Sequence, residues 1–184
     1  MTCEASEFWH NWDEAAYKTD IIIKVGVKQD RVYLPQELNL CLYPLYKGAS
    51  PCPSSLLMKR KMLIDKGGFE KEFTGQYQLY EDQAFLTKIY LEEKVYVSSS
   101  CNNRYRQRTG SLVQSVKAAG NYNAVRKFYL VWLQTYLQEK NIKNRQIDKL
   151  IKRAWYPYKA PFLFYLTDVI PHKLKSLIYK IVKV

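Results

Sequence analysis

Three short stretches carry residue types whose spacing suits chemistry. Gly48-Ala-Ser-Pro-Cys-Pro-Ser-Ser55 contains two prolines that fix the approach to a helix predicted to start at Ser54 or Ser55. Backbone N–H groups at such a start can receive a hydroxyl or an anion, and the same serines also serve as ordinary helix caps. Tyr80-Glu81-Asp82 opens a second helix. A carboxylate there acts as general base if it reaches a hydroxyl proton, and it also complements the helix dipole. Arg104-Tyr-Arg-Gln-Arg108, followed by Thr109-Gly110-Ser111, sets three arginines at alternate positions of an extended segment. On one face, their guanidinium forks suit either bidentate grip of a diphosphate or protection of a sheet edge.

The elements that must position these groups follow from hydrophobic pattern. Asp20–Val27, with Ile21, Ile22, Ile23 and Val25, predicts a strand, and Glu4–Ala16 a short aromatic loop or an incomplete helical turn. Gln36–Tyr46 fits no single period, and Gly48, Pro51 and Pro53 make Leu45–Pro53 a loop. The helix carrying Leu56, Leu57, Leu63 and Ile64 is expected to stop at Gly67-Gly68, with a polar and aromatic loop over Phe69–Leu79. Glu81–Lys94 reads as an amphipathic helix with Phe85, Leu86, Ile89 and Tyr90 inward and Lys88, Glu92 and Glu93 outward. Strands are expected at Val95–Ser99 and Asn103–Gln107. A long helix is expected over Val116–Lys140, with a stripe of Tyr122, Phe128, Tyr129, Trp132 and Tyr136. His172–Val184 alternates Leu174, Leu177, Ile178 and Ile181 with lysines, the pattern of a basic amphipathic helix.

Composition bounds the possibilities. The chain has 184 residues, 47% hydrophobic and 25% charged, enough for a buried core and unlike a disordered or fibrous sequence. Cys3, Cys41, Cys52 and Cys101 form no CxxC pair and stand beside only His10 and His172, which argues against structural zinc. No signal peptide is visible, and no apolar run approaches the roughly 20 residues that cross a bilayer, so a reducing cytoplasm is the expected setting. The net charge of +12 is uneven: Lys143–Val184 holds ten basic against two acidic residues. Such a tail attracts polyanions, including the inner membrane surface. The division drawn from these patterns is a mixed α/β body over residues 1–114 and a basic helical extension over 115–184.

The order of the pieces is more specific than any one of them. Gly67-Gly68-Phe69, Glu81-Asp82, and Tyr105-Arg106-x-Arg108-x-Gly110-Ser111 resemble, over about residues 45–116, the second half of a family-2 glycosyltransferase with the GT-A fold, a Rossmann-like mixed sheet with flanking helices. The resemblance implies inverting transfer of a sugar from a nucleoside diphosphate donor to an acceptor hydroxyl. Asp82 matches the family's general base and Glu81 its neighbour. Arg106 and Arg108 match positions near the leaving group, and Pro53, Ser54, Gly68 and Ser111 match substrate-binding positions. The family's Mg²⁺ or Mn²⁺ motif, Asp-x-Asp, does not occur in the sequence, and position 108 is Arg where many relatives have His. The resemblance therefore implies an incomplete GT-A domain, its carboxyl-terminal acceptor-side part. The metal and donor would be held by an amino-terminal half, on a separate chain if the enzyme is split, and this chain alone would bind no metal and little sugar nucleotide.

Two other readings compete. The chain could be a non-catalytic basic module for an anionic membrane or nucleic acid, although it lacks RNP-type and zinc-finger patterns and its sixteen tyrosines are dispersed. It could also be an interaction protein that keeps the transferase fold and has lost activity, with Glu81-Asp82 serving only as a helix start.

Overall fold

A computed structural model describes residues 1–10, 19–108 and 110–171. His172–Val184, where the sequence predicts the terminal amphipathic helix, lies outside them. The chain is a mixed α/β protein built as two compact units, Met1–Lys143 and a second that begins at Asn144. The second half of the predicted extension thus forms its own unit, whereas residues 115–143 belong to the first.

Two small mixed sheets carry the first unit. In one, β1 (Thr2–Cys3) lies parallel to β6 (Val95–Val97), and β4 (Arg31–Tyr33) and β5 (Leu56–Leu57) flank them antiparallel in the order β4-β6-β1-β5. In the other, β2 (Ser6–Trp9) lies between antiparallel β3 (Ile21–Ile23) and parallel β7 (Arg104–Arg106). Phe8 and Trp9, expected in a loop or an incomplete helical turn, are therefore strand residues. The register Phe8↔Tyr105 and Trp9↔Arg106 fixes where the arginine segment ends. Ile21 and Ile22 sit on an edge strand and remain half exposed, while Val95 and Val97 are buried.

The core forms where α2 (Glu81–Glu92) covers the first sheet: Phe85, Leu86, Ile89 and Tyr90 pack with Cys3, Leu38, Leu42, Val95 and Val97. Each such side chain contributes about 1.5–3 kcal/mol of burial. A second aromatic layer joins α2 to α4 (Tyr122–Glu139), where Phe73 lies edge-on to Phe128 and Trp132, and Tyr129 donates or accepts at Thr87 Oγ1, 2.7 Å away.

Three expectations need correction. Leu56 and Leu57 are extended, because they pair with Cys3 and Thr2; α1 accordingly spans only Arg60–Asp65, and Ser55 Oγ donates to the Cys52 carbonyl instead of capping a helix. Lys88, expected outward, is 2% exposed. Its ammonium donates to the Lys66 and Gly68 carbonyls at 2.8 and 2.7 Å and pairs with Glu70 at 2.6 Å. The carbonyls left without helical partners at the end of α1 supply the polar interior that makes a buried lysine tolerable. Finally, the helix expected over Val116–Lys140 is two. In α3 (Leu112–Ala118) the N–H of Gly120 bonds Lys117 O and that of Asn121 bonds Val116 O, with Gly120 at φ +71°. This left-handed stop is cheap only for glycine and re-aims the chain into α4.

In the second unit, Asn144 caps α5 (Arg145–Lys159) by accepting from the Gln146 and Ile147 N–H groups at 2.9 and 3.2 Å. After Ala160, a short α6 (Pro161–Phe164) continues into a π-helical turn, Tyr165–Val169. No helix among the described residues is long and apolar enough to cross a membrane.

Candidate functional site

Asp82 is the second residue of α2, directly after the 3₁₀ segment Gly75–Tyr80. That segment, the end of β7, the Pro53 turn and the start of α3 enclose a cavity of about 840 Å³. Asp82, Glu81, Pro53, Arg106, Arg108 and Ser111 all line it. Two residues singled out beside them stand outside that lining. Ser54 is exposed on the Pro53–Ser55 turn, and Gly68 sits in the turn after α1 with its carbonyl bound by Lys88. Of the three alternating arginines, Arg104 is diverted: its Nε donates to Glu7 at 2.7 Å, and its guanidinium lies 5.8 Å from the Trp9 ring centroid. β2 presents Glu7 and Trp9 beside it, so two guanidinium groups reach the cavity, not three.

The electrostatics divide the cavity. Burial pushes the Asp82 carboxyl above the ordinary aspartate range, and the Glu81 charge adds to this; hydrogen bonds from its own and the Gln83 backbone and the Gln83 side chain oppose it without cancelling it. A more basic carboxylate is a better proton acceptor at neutral pH. Arg106, Arg108 and Lys117 supply fixed positive charge in the same cavity. Tyr105, which packs on Phe8 with centroids 5.6 Å apart, has its phenol pushed up by burial and then by the nearby Cys52 and Asp82.

Sequence reasoning missed a second group in this cavity, the hydroxyls of Tyr43, Tyr80 and Tyr122. Tyr43 and Tyr80 hydroxyls are hydrogen-bonded, and Tyr122 OH lies 2.8 Å from Tyr43 and 3.3 Å from Tyr80. Arg126 stands behind them, donating to Pro44 O at 3.3 Å with its guanidinium 6.0 Å from the Tyr43 ring centroid. Burial raises the Tyr43 and Tyr80 phenols. Burial also opposes ionisation of Tyr122, but hydrogen bonds from the other two phenols, with Arg126, outweigh it and shift Tyr122 down. The one signal in the sequence was adjacency: Tyr80 precedes the acidic pair, and Tyr122 follows the Gly120 stop.

A further cavity of about 880 Å³ lies against α4 and the end of α1, and two of the carboxylates that line it are committed. Glu92 accepts from Lys66 at 2.9 Å and from Tyr136, and Glu70 pairs with Lys88.

No family model, curated protein or solved structure matches the chain. What the structure establishes is thus the mixed α/β architecture and the geometry above. The divalent cation that the resemblance implies finds no suitable donor set: among the described residues no three His, Cys, Asp or Glu side chains converge, and the cavity's two carboxylates are sequence neighbours beside two arginines. Mg²⁺ demands near-octahedral oxygen ligands, which these residues do not fit.

Proposed function

We propose that this cavity is the acceptor side of an inverting sugar-transfer site of the family-2 glycosyltransferase kind. The observation that carries the reading is that Asp82 lines one cavity with Arg106 and Arg108, although more than twenty residues separate them in the chain. In this reading the acceptor hydroxyl lies against Asp82, which takes its proton as the oxygen attacks the anomeric carbon from the side opposite the leaving diphosphate. Glu81 hydrogen-bonds a neighbouring acceptor hydroxyl. The bond from the anomeric carbon to the diphosphate oxygen breaks as the new glycosidic bond forms. Arg106 and Arg108 take up the negative charge that grows on the departing group. Pro53 and Ser111 shape the acceptor end, and the remaining predicted contacts, Ser54 and Gly68, support the turns around it. The absence of Asp-x-Asp from the sequence means that, in this reading, donor and metal are held by a segment other than this chain.

The test is acceptor-dependent release of nucleoside diphosphate from a panel of sugar nucleotides, with the chain supplied together with a donor-binding half. Transfer with inverted anomeric configuration, read by NMR of the product, is the expected result. A product of retained configuration, or diphosphate release indifferent to acceptor, would refute the reading.

A further inference from the structure

We propose that the hairpin made by α5 and Pro161–Val169 is a docking surface for an anionic lipid bilayer; this does not rest on the sugar-transfer reading. Along α5, Ile147, Ile151 and Ala154 recur at helical spacing and are buried. Arg145, Lys149, Lys152 and Lys159 fall on the opposite side of the same 3.6-residue turn, and all four are exposed. The helix is therefore amphipathic in an unusual sense, with a narrow apolar stripe inward and a cationic stripe outward.

The chain then doubles back. The Phe164 ring stands edge-on to Tyr156 with centroids 5.7 Å apart, Thr167 Oγ1 lies 3.1 Å from the Tyr156 hydroxyl, and Arg153 pairs with Asp168 at 3.6 Å. These contacts settle which side of the returning segment faces α5: it is Phe164, Thr167 and Asp168. The outward positions include Phe162, Leu163 and Leu166, which are 76, 51 and 43% exposed. Three large apolar side chains within five residues, exposed in the same hairpin as these cations, are a patch in need of a partner.

Charge selects the partner. Residues 144–171 carry five Lys or Arg against two acids, and one of those acids is held by Arg153. A second copy would bring the same positive stripe against this one, and nucleic acid would leave the aliphatic side chains unrewarded. An anionic bilayer satisfies both halves of the surface: the apolar side chains enter the headgroup boundary while the lysines remain among lipid phosphates. Trp155 and Tyr158, aromatic residues with polar tips, lie near the turn of the hairpin, and such side chains favour the interface.

The experiment is flotation of the full chain with vesicles of phosphatidylcholine alone and of phosphatidylcholine mixed with phosphatidylglycerol. Binding to the mixed vesicles, weakened by salt, is expected. A cation near the surface contributes roughly fivefold in partitioning, so Lys149→Glu with Lys152→Glu should weaken binding at least about 25-fold. Phe162→Ser with Leu166→Ser, at exposed positions that leave the far-ultraviolet circular dichroism unchanged, should weaken it about tenfold or more. The proposal would be overturned by no binding to the anionic vesicles, by equal binding of the serine variant, or by a concentration-dependent dimer that the serine variant abolishes. Capture of a single-stranded RNA oligonucleotide that is lost on charge reversal but indifferent to the serines would equally overturn it, reassigning the stripe to nucleic acid.

Discussion

Replacing Lys88 with methionine deletes a buried cation while keeping most of its packing volume. The ammonium makes three short contacts, to Lys66 O at 2.8 Å, Gly68 O at 2.7 Å and Glu70 at 2.6 Å, and the side chain is 3% exposed. Charge-assisted bonds contribute about 1.5–3 kcal/mol apiece, but the turn carbonyls and Glu70 regain some water once released. Removing one partner of a buried ion pair costs about 3–5 kcal/mol, which sets the expected loss. With a urea slope of about 2 kcal/mol/M, the unfolding midpoint should fall by about 1.5–2.5 M. Glu70→Gln added to Lys88→Met should recover part of the loss, because the uncompensated carboxylate is gone. The consequence reaches the candidate site, since Lys88 ties the Gly67-Gly68 turn to the helix that begins with Glu81 and Asp82. Midpoint loss below about 0.5 M, or no recovery in the double variant, would refute the claim that this cation organises the turn.

Asp82→Asn should stabilise the protein at neutral pH. The folded carboxyl titrates above its unfolded value, so its contribution is intact below the ordinary aspartate range and is lost as pH rises through the folded value. Urea midpoints of the variant and parent should therefore converge on acidification below the ordinary aspartate range and separate toward pH 7. Tyr43→Phe removes a hydroxyl hydrogen-bonded to Tyr122, so the phenolate absorbance step that Tyr122→Phe deletes should move to higher pH. Gly48→Ala would set a Cβ 2.6 Å from Cys41 O and 2.7 Å from Leu42 Cδ2, and should cost about 1–3 kcal/mol in thermal or urea unfolding.

Where one element's own period decides the outcome, the sequence and the structure agree. Phe85, Leu86, Ile89 and Tyr90 are buried as their spacing predicts, although α2 is buried on every side from Gln83 to Leu91 and not amphipathic as expected, and Gly67-Gly68 ends α1 with positive φ at both residues. The ordered motifs likewise put Asp82 in one cavity with Arg106 and Arg108. What escaped the sequence depends on partners remote in the chain. Lys88 is inward because carbonyls twenty residues earlier need a donor. Leu56 and Leu57 are extended because β1 pairs with them, overriding their helical spacing. Arg104 is lost to the cavity because Glu7, 97 positions away, captures it. The Tyr43, Tyr80 and Tyr122 cluster joins three segments, so no local pattern announces it. Gly120 was a visible break that the long aromatic stripe concealed, since hydrophobic periodicity continues across a re-aimed chain.

The most direct measurement is acceptor-dependent sugar-nucleotide turnover, in the presence of a donor-binding half, by the parent chain and by Asp82→Asn. If the Asp82 carboxylate removes the acceptor proton, kcat should fall about 10²–10⁴-fold while circular dichroism and the melting transition show an intact fold. An Asp82→Asn protein that turns over within about threefold of the parent would contradict the account, leaving Glu81-Asp82 as a helix start and nothing more.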